Sequence, residues 1–527
     1  MCWLWVTVLL AAVVAQLEAV REEFRFASYY GDHMVLQQAP ERAVLWGYGV
    51  GGSKVVVTVS NGISNQTNTA YVKNDIWTVT LEPVKAGGPY NLTATQISNS
   101  SMVVKLTDVL FGDVWLCGGQ SNMAFTVSQV INASKELAQA VKYPHIRIFS
   151  AALVKSEVEL LDLPRVELPW AVPTPELLGH GNFTYFSAVC WLFGRDLHQN
   201  LGYPVGLVES CWGGTPVEAW SSTRALKKCS LAGTKDRMPL VGQVWNDTVL
   251  WNSMIHPLLN MTIKGAIWYQ GEDNTAYHRD QYNCSFPTMI DDWRMAFHEG
   301  SGGQTALDFP FGFVQICTDL KHSVKEDFPE LRWHQTSDYG FAPNPRMKRT
   351  FMAVSLDLPD EESPWGSIHP RYKQDVALRL ALGARAVAYG QPGVSFQGPF
   401  PEKCILCGYQ LNVTFDKAIF FNKSVNQSLF EVCFSEGQES CKPSTNWTSA
   451  PVIGWDQNSI LLKVEEHASS VAALRYAWRD WPCDLKSCPV YSADRVLPAP
   501  PFIVNRWPQW EWGRSGSIKW LLTSPDN

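Results

Sequence analysis

Short apolar runs separated by turn residues fill the first part of the chain after its N-terminal segment. Between Phe24 and about Thr107 these runs are rich in Val, Thr and aromatic residues, and clusters of Gly, Asn and Pro separate them. Evenly spaced β-type runs without helical stretches are typical of an all-β module. We therefore predict a β module over residues 20–108, with strands that include 43–48, 54–60, 77–81 and 103–106.

The pattern changes at Val109, where strand-like runs begin to alternate with helix-like segments. The predicted strands are 114–117, 146–150, 205–209, 265–269, 311–317 and 351–356. The predicted helices are 124–142, 184–200, 216–226, 247–260, 286–298, 330–338 and 370–388. Such alternation indicates an α/β domain, here residues 109–392, in which a parallel sheet is covered by helices on both faces.

After about Gly390 the helical segments stop, and β-like runs return over residues 393–527. Six cysteines lie between Cys404 and Cys488, and their short spacings raise the alternative of a zinc site. No histidine-rich partner spacing accompanies them. We therefore predict a C-terminal β module that contains disulfides, as is common in exported proteins.

The N-terminal segment predicts that the protein is exported. Residues 1–19 form an apolar run with small residues near its end, as in a cleaved signal peptide. No later apolar run is long enough to span a membrane. We expect a mature protein without a membrane span that is lysosomal or secreted.

The number of N-x-[ST] sequons agrees with export and predicts N-glycosylation at exposed positions. The twelve sequons begin at Asn65, Asn91, Asn99, Asn132, Asn182, Asn246, Asn260, Asn283, Asn412, Asn422, Asn426 and Asn446.

The charge balance argues against two classes of partner. The formal net charge is −7, the sequence pI is about 5.9, and the sequence contains no basic cluster. Nucleic acids and anionic membranes are therefore not expected partners. The 23 tryptophans are mostly expected in the core, although exposed indoles also stack well on sugar rings.

One strand end in the α/β domain carries a candidate nucleophile. Residues 113–123 read Asp-Val-Trp-Leu-Cys-Gly-Gly-Gln-Ser-Asn-Met, an apolar strand that leads into a Gly-Gly-Gln-Ser turn. A serine between a strand and a helix lies where backbone N–H groups converge and the helix dipole favours negative charge. Ser121 is therefore a candidate for nucleophilic catalysis if the rest of the chain supplies a base and oxyanion donors.

Two further strand ends offer such donors. Gly213 and Gly214 follow the strand at 205–209, and adjacent glycines leave their N–H groups unshielded. A tight turn that needs a positive φ explains the two glycines equally well. Gln270 follows the strand at 265–269 and carries an amide donor. These strand ends share one edge of a parallel sheet, where ligands bind.

Glu272, Asp273 and His369 are candidates for acid–base chemistry. Glu272 and Asp273 raise the alternative of glycoside hydrolysis, but adjacent strand residues point to opposite faces and make a poor flanking pair. Glu272 is better explained as a buried hydrogen-bonding residue or as the partner of a histidine. Of eleven histidines, only His369, just before the predicted helix 370–388, is placed to reach across the sheet edge.

Taken together, four motifs in this order resemble the sialate O-acetylesterase family of SGNH-type serine esterases. They are Gly-Gln-Ser-Asn-Met at 119–123, Trp-Gly-Gly-Thr-Pro-x-Glu-Ala-Trp at 212–220, Trp-Tyr-Gln-Gly-Glu at 268–272 and Ile-His-Pro-x-x-Lys-Gln at 368–374. Segments 473–480 and 497–502 are also similar to this family, so the resemblance extends over nearly the whole chain after the signal peptide.

The resemblance implies an SGNH-hydrolase-like fold and hydrolysis of O-acetyl esters of sialic acids and sialoglycoconjugates, with the 9-O position preferred. Ser121 is implied as the nucleophile and His369 as the general base and then acid. The Ser121 N–H, an N–H of Gly213 or Gly214 and the Gln270 side chain are implied as the oxyanion hole. An acetyl-serine intermediate is implied, and neither a metal nor an organic cofactor is required.

The chain departs from this pattern before the histidine. SGNH esterases usually carry an Asp two or three residues earlier, where this chain has Ser367 and Gly366. Glu272, Asp357 or a backbone carbonyl would have to orient His369, or the site works as a Ser–His dyad.

Three other functions remain open at this point. One is a carbohydrate-binding protein whose esterase site no longer turns over. The second is an esterase for another acetylated sugar, and the third is a glycosidase that uses Glu272.

Overall fold

The computed structural model describes residues 24–97, 101–232, 245–423, 429–434, 441, 447–464, 471–504 and 518–521. The predicted signal peptide, residues 1–19, lies outside these residues. Within the described ranges, no helix combines the length and the apolar character that a membrane span requires.

Seven strands precede the α/β part of the described chain. They are β1 (Arg25–Phe26), β2 (Val35–Gln37), β3 (Val44–Tyr48), β4 (Lys54–Ser60), β5 (Asn65–Tyr71), β6 (Ile76–Thr80) and β7 (Gly87–Ile97). Strands β1, β3 and β6 form one antiparallel sheet, while β4 pairs with both β5 and β7. The burial pattern of β4 alternates along the strand, as expected for a sheet with one face on the core.

A single long strand, β8 (Met102–Gly119), connects this N-terminal part to the α/β part. Its first half pairs antiparallel with β7, and from Asp113 onward it pairs in parallel with two strands of the central sheet. The predicted boundary at residue 108 falls inside this strand. The carboxylate of Asp113 accepts hydrogen bonds from Gln37 and Tyr203, so both parts are also joined by side chains where they meet.

The central sheet has the order β10-β9-β11-β8-β12-β13-β14. Its other strands are β9 (Ile146–Ala151), β10 (Val166–Ala171), β11 (Val205–Cys211), β12 (Gly265–Tyr269), β13 (Phe311–Gln315) and β14 (Thr350–Val354). All neighbours are parallel except the edge pair β10–β9, which is antiparallel. The α/β prediction is confirmed, but the sheet is mixed and not wholly parallel.

Eight α-helices are found in the described chain, and the longest of them cover the central sheet. They are α1 (Ser121–Ala124), α2 (Ala133–Leu137), α3 (Pro175–Leu178), α4 (Ala188–Leu201), α5 (Thr223–Lys228), α6 (Tyr282–Gly300), α7 (Asp327–His334) and α8 (Lys373–Val387).

The two faces of the central sheet contact different partners. Along β8, Trp115 and Cys117 face the core formed with α4 and α8, whereas Val114 and Leu116 face the opposite core. That second core includes residues of α6, such as Trp293, together with the N-terminal sheets. The alternation follows from the two-residue period of a strand. Both faces of β8 are buried from Val109 onward, so residues 114–117 are all apolar and Ser121 lies just beyond them, at the carboxyl end of the strand.

The C-terminal part consists of short strands, as predicted. They are β15 (Pro401–Cys407), β16 (Gln410–Phe415), β17 (Ile419–Phe421), β18 (Phe430–Phe434), β19 (Trp447–Ser449), β20 (Val452–Trp455), β21 (Ser459–Lys463), β22 (Val471–Tyr476), β23 (Val490–Ser492), β24 (Phe502–Val504) and β25 (Ile518–Leu521). They form three antiparallel sheets around a core of their own.

Four disulfides are found in the described chain, and two of them confirm the prediction that the C-terminal part contains disulfides. The pairs are Cys117–Cys190, Cys229–Cys284, Cys433–Cys441 and Cys483–Cys488. Two cysteines of the C-terminal part, Cys404 and Cys407, are free. Among the described residues, no group of three or more His, Cys, Asp or Glu side chains is arranged to hold a metal ion.

Most predicted glycosylation sites lie in the described chain, and none of these is buried. Exposed sequon asparagines are Asn65, Asn91, Asn132, Asn182 and Asn246. Half-buried ones are Asn260, Asn283, Asn412 and Asn422. Asn99, Asn426 and Asn446 lie outside the described residues. Glycosylation at these positions stays a prediction.

One long helix prediction was wrong, and a second was confirmed only in part. The segment 124–142 is broken into short turns, because Thr126 forms a capping box with Gln129 and Asn132 adopts a left-handed conformation at φ 58°. The segment 247–260 is helical over residues 249–258, but it changes from α-helical at 249–250 to a π-helical turn at Trp251–Ile255 and a 3-10 turn at His256–Leu258. These irregular segments lie at the sheet edge that carries Ser121.

The close contact between β8 and β12 predicts that Gly119 tolerates no side chain. Gly119 has φ +140°, and a Cβ built there would lie 2.2 Å from the carbonyl oxygen of Tyr269. We expect Gly119→Ala to lower the free energy of unfolding by about 3 kcal/mol or more, measured by urea denaturation. Gly52→Ala is the control, since Gly52 has φ +80° but open space around it. Equal losses in the two variants would contradict this interpretation.

Candidate active site

Ser121 lies at the carboxyl end of β8, the strand at the middle of the central sheet. The Gln120 N–H donates to the carbonyl of Tyr269 on β12 (2.9 Å), which fixes the turn that carries the serine. Ser121 is the first residue of α1 and is partly exposed. Since α1 has a single turn, its dipole contributes less than the long helix predicted from the sequence would. Individual backbone N–H groups therefore contribute more to stabilising negative charge beside Ser121 than the helix dipole does.

The structure brings His369 into hydrogen-bond contact with Ser121. His369 Nε2 lies 2.8 Å from Ser121 Oγ, and His369 Nδ1 lies 2.8 Å from the main-chain carbonyl oxygen of Trp365. A carbonyl can only accept, so Nδ1 carries the proton and Nε2 presents its lone pair to the serine hydroxyl. This is the tautomer that a general base needs.

The surroundings of His369 favour its neutral form. Burial lowers the pKa of His369 below its usual 6.5, and the nearby Lys373 charge lowers it further, whereas the hydrogen bond to Trp365 acts in the opposite direction. The ring of Phe183 contacts the imidazole edge to face, with centroids 4.9 Å apart. At any given pH, His369 therefore carries a proton less often than an exposed histidine does.

Backbone N–H groups converge on the same point. A Cβ built on Gly213 would lie only 3.3 Å from Ser121 Cβ, so the Gly213 backbone packs directly against the serine. Within the described chain, the N–H groups of Ser121 and Gly213 have no hydrogen-bond acceptor. Gly214 follows with φ +66° and open space at its Cβ position. Unpaired N–H groups beside a nucleophile are suitable oxyanion donors.

Gln270 does not join these donors in the structure. Its side chain is fully buried, and both amide hydrogens are already used, by the Thr215 carbonyl (3.1 Å) and by Asn274 Oδ1 (2.8 Å). Its oxygen accepts from the Tyr282 hydroxyl (2.9 Å). An amide has two donor hydrogens, so none is left for an oxyanion. The expectation of a Gln270 donor is therefore corrected: the residue ties two loops together.

The two carboxylates considered as partners of His369 have other contacts. Glu272 Oε1 accepts from Asn122 Nδ2 (2.6 Å), and Asp357 forms a buried ion pair with Arg379. The prediction that Glu272 is the partner of His369 was therefore wrong in so far as it required a direct contact between the two side chains. The remaining alternative, a backbone carbonyl, is the one that the Trp365 contact provides.

Asn122, the residue after the nucleophile, links Glu272 to the histidine segment. Besides its bond to Glu272, Asn122 Nδ2 donates to the Ile368 carbonyl (2.9 Å), and its Oδ1 accepts from Lys373 Nζ (2.6 Å). Lys373 Nζ also donates to the Pro370 carbonyl (2.7 Å). The carbonyls on both sides of His369 are thus held by one buried network of Glu272, Asn122 and Lys373.

Burial shifts the pKa values of the two ionisable members of this network, Glu272 and Lys373. Burial raises the pKa of Glu272 to about 7 and lowers the pKa of Lys373 to about 7. Glu272 Oε2 is buried without a hydrogen-bond partner among the described residues. Holding such groups at the site costs free energy, so their geometry has to be supported by the surrounding core.

Only a weak sequence signal points to Asn122, Lys373 and Trp365, and none of the three is a predicted site residue. Asn122 and Lys373 belong to the motifs at 119–123 and 368–374. A lysine four residues after a candidate base, at the start of a helix, suggests a buried polar contact. The role of Trp365 depends on its main chain, and a carbonyl has no sequence signature.

Two family models match the chain. Residues 111–330 match the model described as carbohydrate esterase, sialic acid-specific acetylesterase, and residues 406–506 match the sialate O-acetylesterase C-terminal domain.

Curated relatives match over most of the length of both chains. Sialate O-acetylesterase of Mus musculus is 48% identical over 516 residues, which cover 92% of this chain and 94% of the relative. Sialate O-acetylesterase of Homo sapiens is 49% identical over 496 residues, covering 91% and 92%. A crystal structure described as a novel carbohydrate acetylesterase, XAC1771 from Xanthomonas citri, aligns with a TM-score of 0.73 and 28% identity, over 92% of this chain and 100% of that one.

The buried network predicts that Lys373 positions His369. Lys373→Met leaves Asn122 Oδ1 and the Pro370 carbonyl without their donor, and we expect kcat for ester hydrolysis to fall about 10- to 100-fold with KM little changed. Lys486→Met is the matched control, because Lys486 is half-exposed and pairs with Asp375 at the surface. An unchanged kcat in Lys373→Met, measured on correctly folded protein, would contradict a positioning role.

The lowered pKa of His369 predicts activity at mildly acidic pH. The base must be neutral, so kcat/KM rises with pH through the pKa of His369, and the midpoint of this rise is expected below 6.5. Initial rates between about pH 4 and 8 measure the midpoint, with circular dichroism at each pH as the check on folding. A midpoint above that of a free histidine would show that a carboxylate reaches the imidazole after all.

Proposed function

The chain belongs to the sialate O-acetylesterase family, and from this premise we propose that Ser121 and His369 form its catalytic pair. The protein is a carboxylic ester hydrolase that acts on O-acetyl esters of sialic acids. The observation that carries the proposal is the 2.8 Å contact between Ser121 Oγ and an imidazole whose other nitrogen donates to a carbonyl.

In the first step, His369 Nε2 removes the proton from Ser121 Oγ as the oxygen attacks the acetyl carbonyl carbon. The oxyanion of the tetrahedral intermediate accepts hydrogen bonds from the N–H groups of Ser121 and Gly213, and Gly214 is a further candidate. The C–O bond to the sugar then breaks, and the imidazolium gives its proton to the leaving sugar oxygen. This step leaves an acetyl group on Ser121.

The second half of the reaction repeats these roles with water. His369 Nε2 takes a proton from water, the hydroxide oxygen attacks the acetyl-serine carbonyl, and the Ser121 oxygen leaves with the proton from the imidazolium. Acetate is released and the free hydroxyl is restored.

The use of a carbonyl in place of a carboxylate changes the base in a defined way. Both fix the tautomer of His369, but only a carboxylate adds a negative charge that stabilises the imidazolium and raises the pKa. A base without that charge stays deprotonated at lower pH. This suits an enzyme of an acidic compartment, which supports the lysosomal alternative over the secreted one.

The finer architecture and substrate position are also proposals. We assign the central sheet and its helices to an SGNH-hydrolase-like fold, supported by the serine at the end of the middle strand and the histidine after the last one. Residues 109–392 then form the catalytic domain between β modules at 20–108 and 393–527. The 9-O-acetyl group is the preferred substrate position because it lies at the end of a flexible side chain and reaches a partly exposed serine with least hindrance.

A related candidate is an esterase for another acetylated sugar. It is favoured by the structural likeness to a protein described only as a carbohydrate acetylesterase. Acetate release from a panel of acetylated sugars separates the two. A non-hydrolytic carbohydrate-binding protein would release none, and a glycosidase acting through Glu272 would release sugar without acetate.

Removing the nucleophile tests the mechanism. We expect Ser121→Ala to lower kcat for acetate release from a 9-O-acetylated sialic acid by about 10⁴-fold or more, without loss of folding. Ser128→Ala is the matched control, because Ser128 is exposed and its hydroxyl contacts only Thr126 and the Gly181 carbonyl. Wild type and the control should be labelled by a fluorophosphonate probe, and Ser121→Ala should not. Retained turnover in Ser121→Ala would refute the assignment.

A further inference from the structure

A cavity of about 560 Å³ lies between the α/β part and the C-terminal strands. Its walls come from the segment 275–280 after β12, from helix α7, and from C-terminal residues that include Trp478. Among the described residues that line it, neither Ser121 nor His369 is found. The volume is typical of a small-molecule site.

The lining combines aromatic rings with ion-paired polar groups. Trp333 of α7 and Trp478 meet at a centroid distance of 6.3 Å, nearly edge to face. Arg279 Nε donates to Glu330 Oε2 (2.6 Å), and His334 Nδ1 contacts Asp338 Oδ1 (2.6 Å). Indole surface beside fixed donors and acceptors is suited to the C–H faces and hydroxyl groups of a sugar ring.

The charges in this cavity favour a neutral ligand. The cationic groups Arg279 and His278 each have a carboxylate neighbour, Glu330 and Glu218 respectively. Asp280 adds a further negative charge to the lining. An anionic ligand would therefore be repelled by the carboxylates, and no unpaired cation among the described lining residues would offset this repulsion. Hydroxyl groups, by contrast, can donate to the carboxylates and accept from Arg279 and His278.

The cavity is linked to the esterase site by one short segment. Its wall residue Thr275 donates its N–H to the Glu272 carbonyl (3.2 Å), and Glu272 contacts Asn122 beside the nucleophile. At the end of α7, Gln335 Nε2 donates to the Gln270 carbonyl (3.2 Å) at the end of β12. The cavity therefore adjoins the carboxyl end of β12, the strand that pairs with β8 beside Ser121.

We propose that this cavity binds the neutral hexopyranose units to which the acetylated sialic acid is attached. The inference rests on the proposed function, because it describes where the remainder of the same substrate lies while Ser121 attacks the acetyl group. The cavity then sets a preference for glycan-linked substrates over the free monosaccharide.

The test compares two substrates that carry the same ester. They are free 9-O-acetylated sialic acid and the same residue linked to lactose, a neutral disaccharide. With Trp333→Ala we expect kcat/KM for the lactose-linked substrate to fall about tenfold, while kcat/KM for the free monosaccharide is unchanged.

Ala276→Trp is the second variant, because Ala276 is exposed at the rim and a large ring there fills the cavity without disturbing the core. It should give the same selective loss.

Trp455→Ala serves as the matched control, since Trp455 is a 43% exposed tryptophan of β20 that does not line the cavity. An equal loss on both substrates in Trp333→Ala and Ala276→Trp, or no loss on either, would overturn the inference and leave the esterase assignment intact. Wild-type protein that releases acetate from neither substrate would overturn the proposed function itself.

Discussion

The hydrogen bond from His369 Nδ1 to the Trp365 carbonyl is the contact on which the proposed chemistry depends. It selects the tautomer that leaves Nε2 free to accept from Ser121, and it does so without introducing a negative charge. The position of a main-chain carbonyl depends on the conformation of the backbone around it. The segment that contains Trp365 and His369 therefore has to be rigid. Its own bonds, including that from the His369 N–H to the Gly366 carbonyl and that from Ser363 Oγ to the His369 carbonyl, supply this rigidity.

The nucleophile and the base come from distant parts of the chain, and buried polar contacts join them. Asn122 contacts Glu272, the Ile368 carbonyl and Lys373 at the same time, so the turn after β8 is hydrogen-bonded to the start of α8. Groups of this kind are costly to bury. The disulfide Cys117–Cys190 and the apolar packing on both faces of β8 provide the surrounding stability.

The sequence predicted the features that depend on local pattern. The strand before Ser121, the helix after His369 and the meeting of several strand ends at one sheet edge follow from hydrophobic periodicity and from the rules of parallel sheets. The roles of Gln270 and Glu272 could not be predicted, because they depend on which polar partner each side chain reaches across the fold. The prediction of a helix at 124–142 was wrong for a related reason. The capping residues and the left-handed residue Asn132 form irregular turns beside the site, where tertiary contacts override local helix propensity.

The central claim is that an uncharged acceptor orients the base of a Ser–His pair. The most direct measurement is nitrogen-15 NMR of the histidine side chains as a function of pH, with His369 assigned by comparison with His369→Gln. We expect His369 to carry its proton on Nδ1 in the neutral form and to titrate below 6.5, the usual histidine pKa. A proton on Nε2, or a pKa raised above the usual value, would contradict the account and would indicate a carboxylate partner.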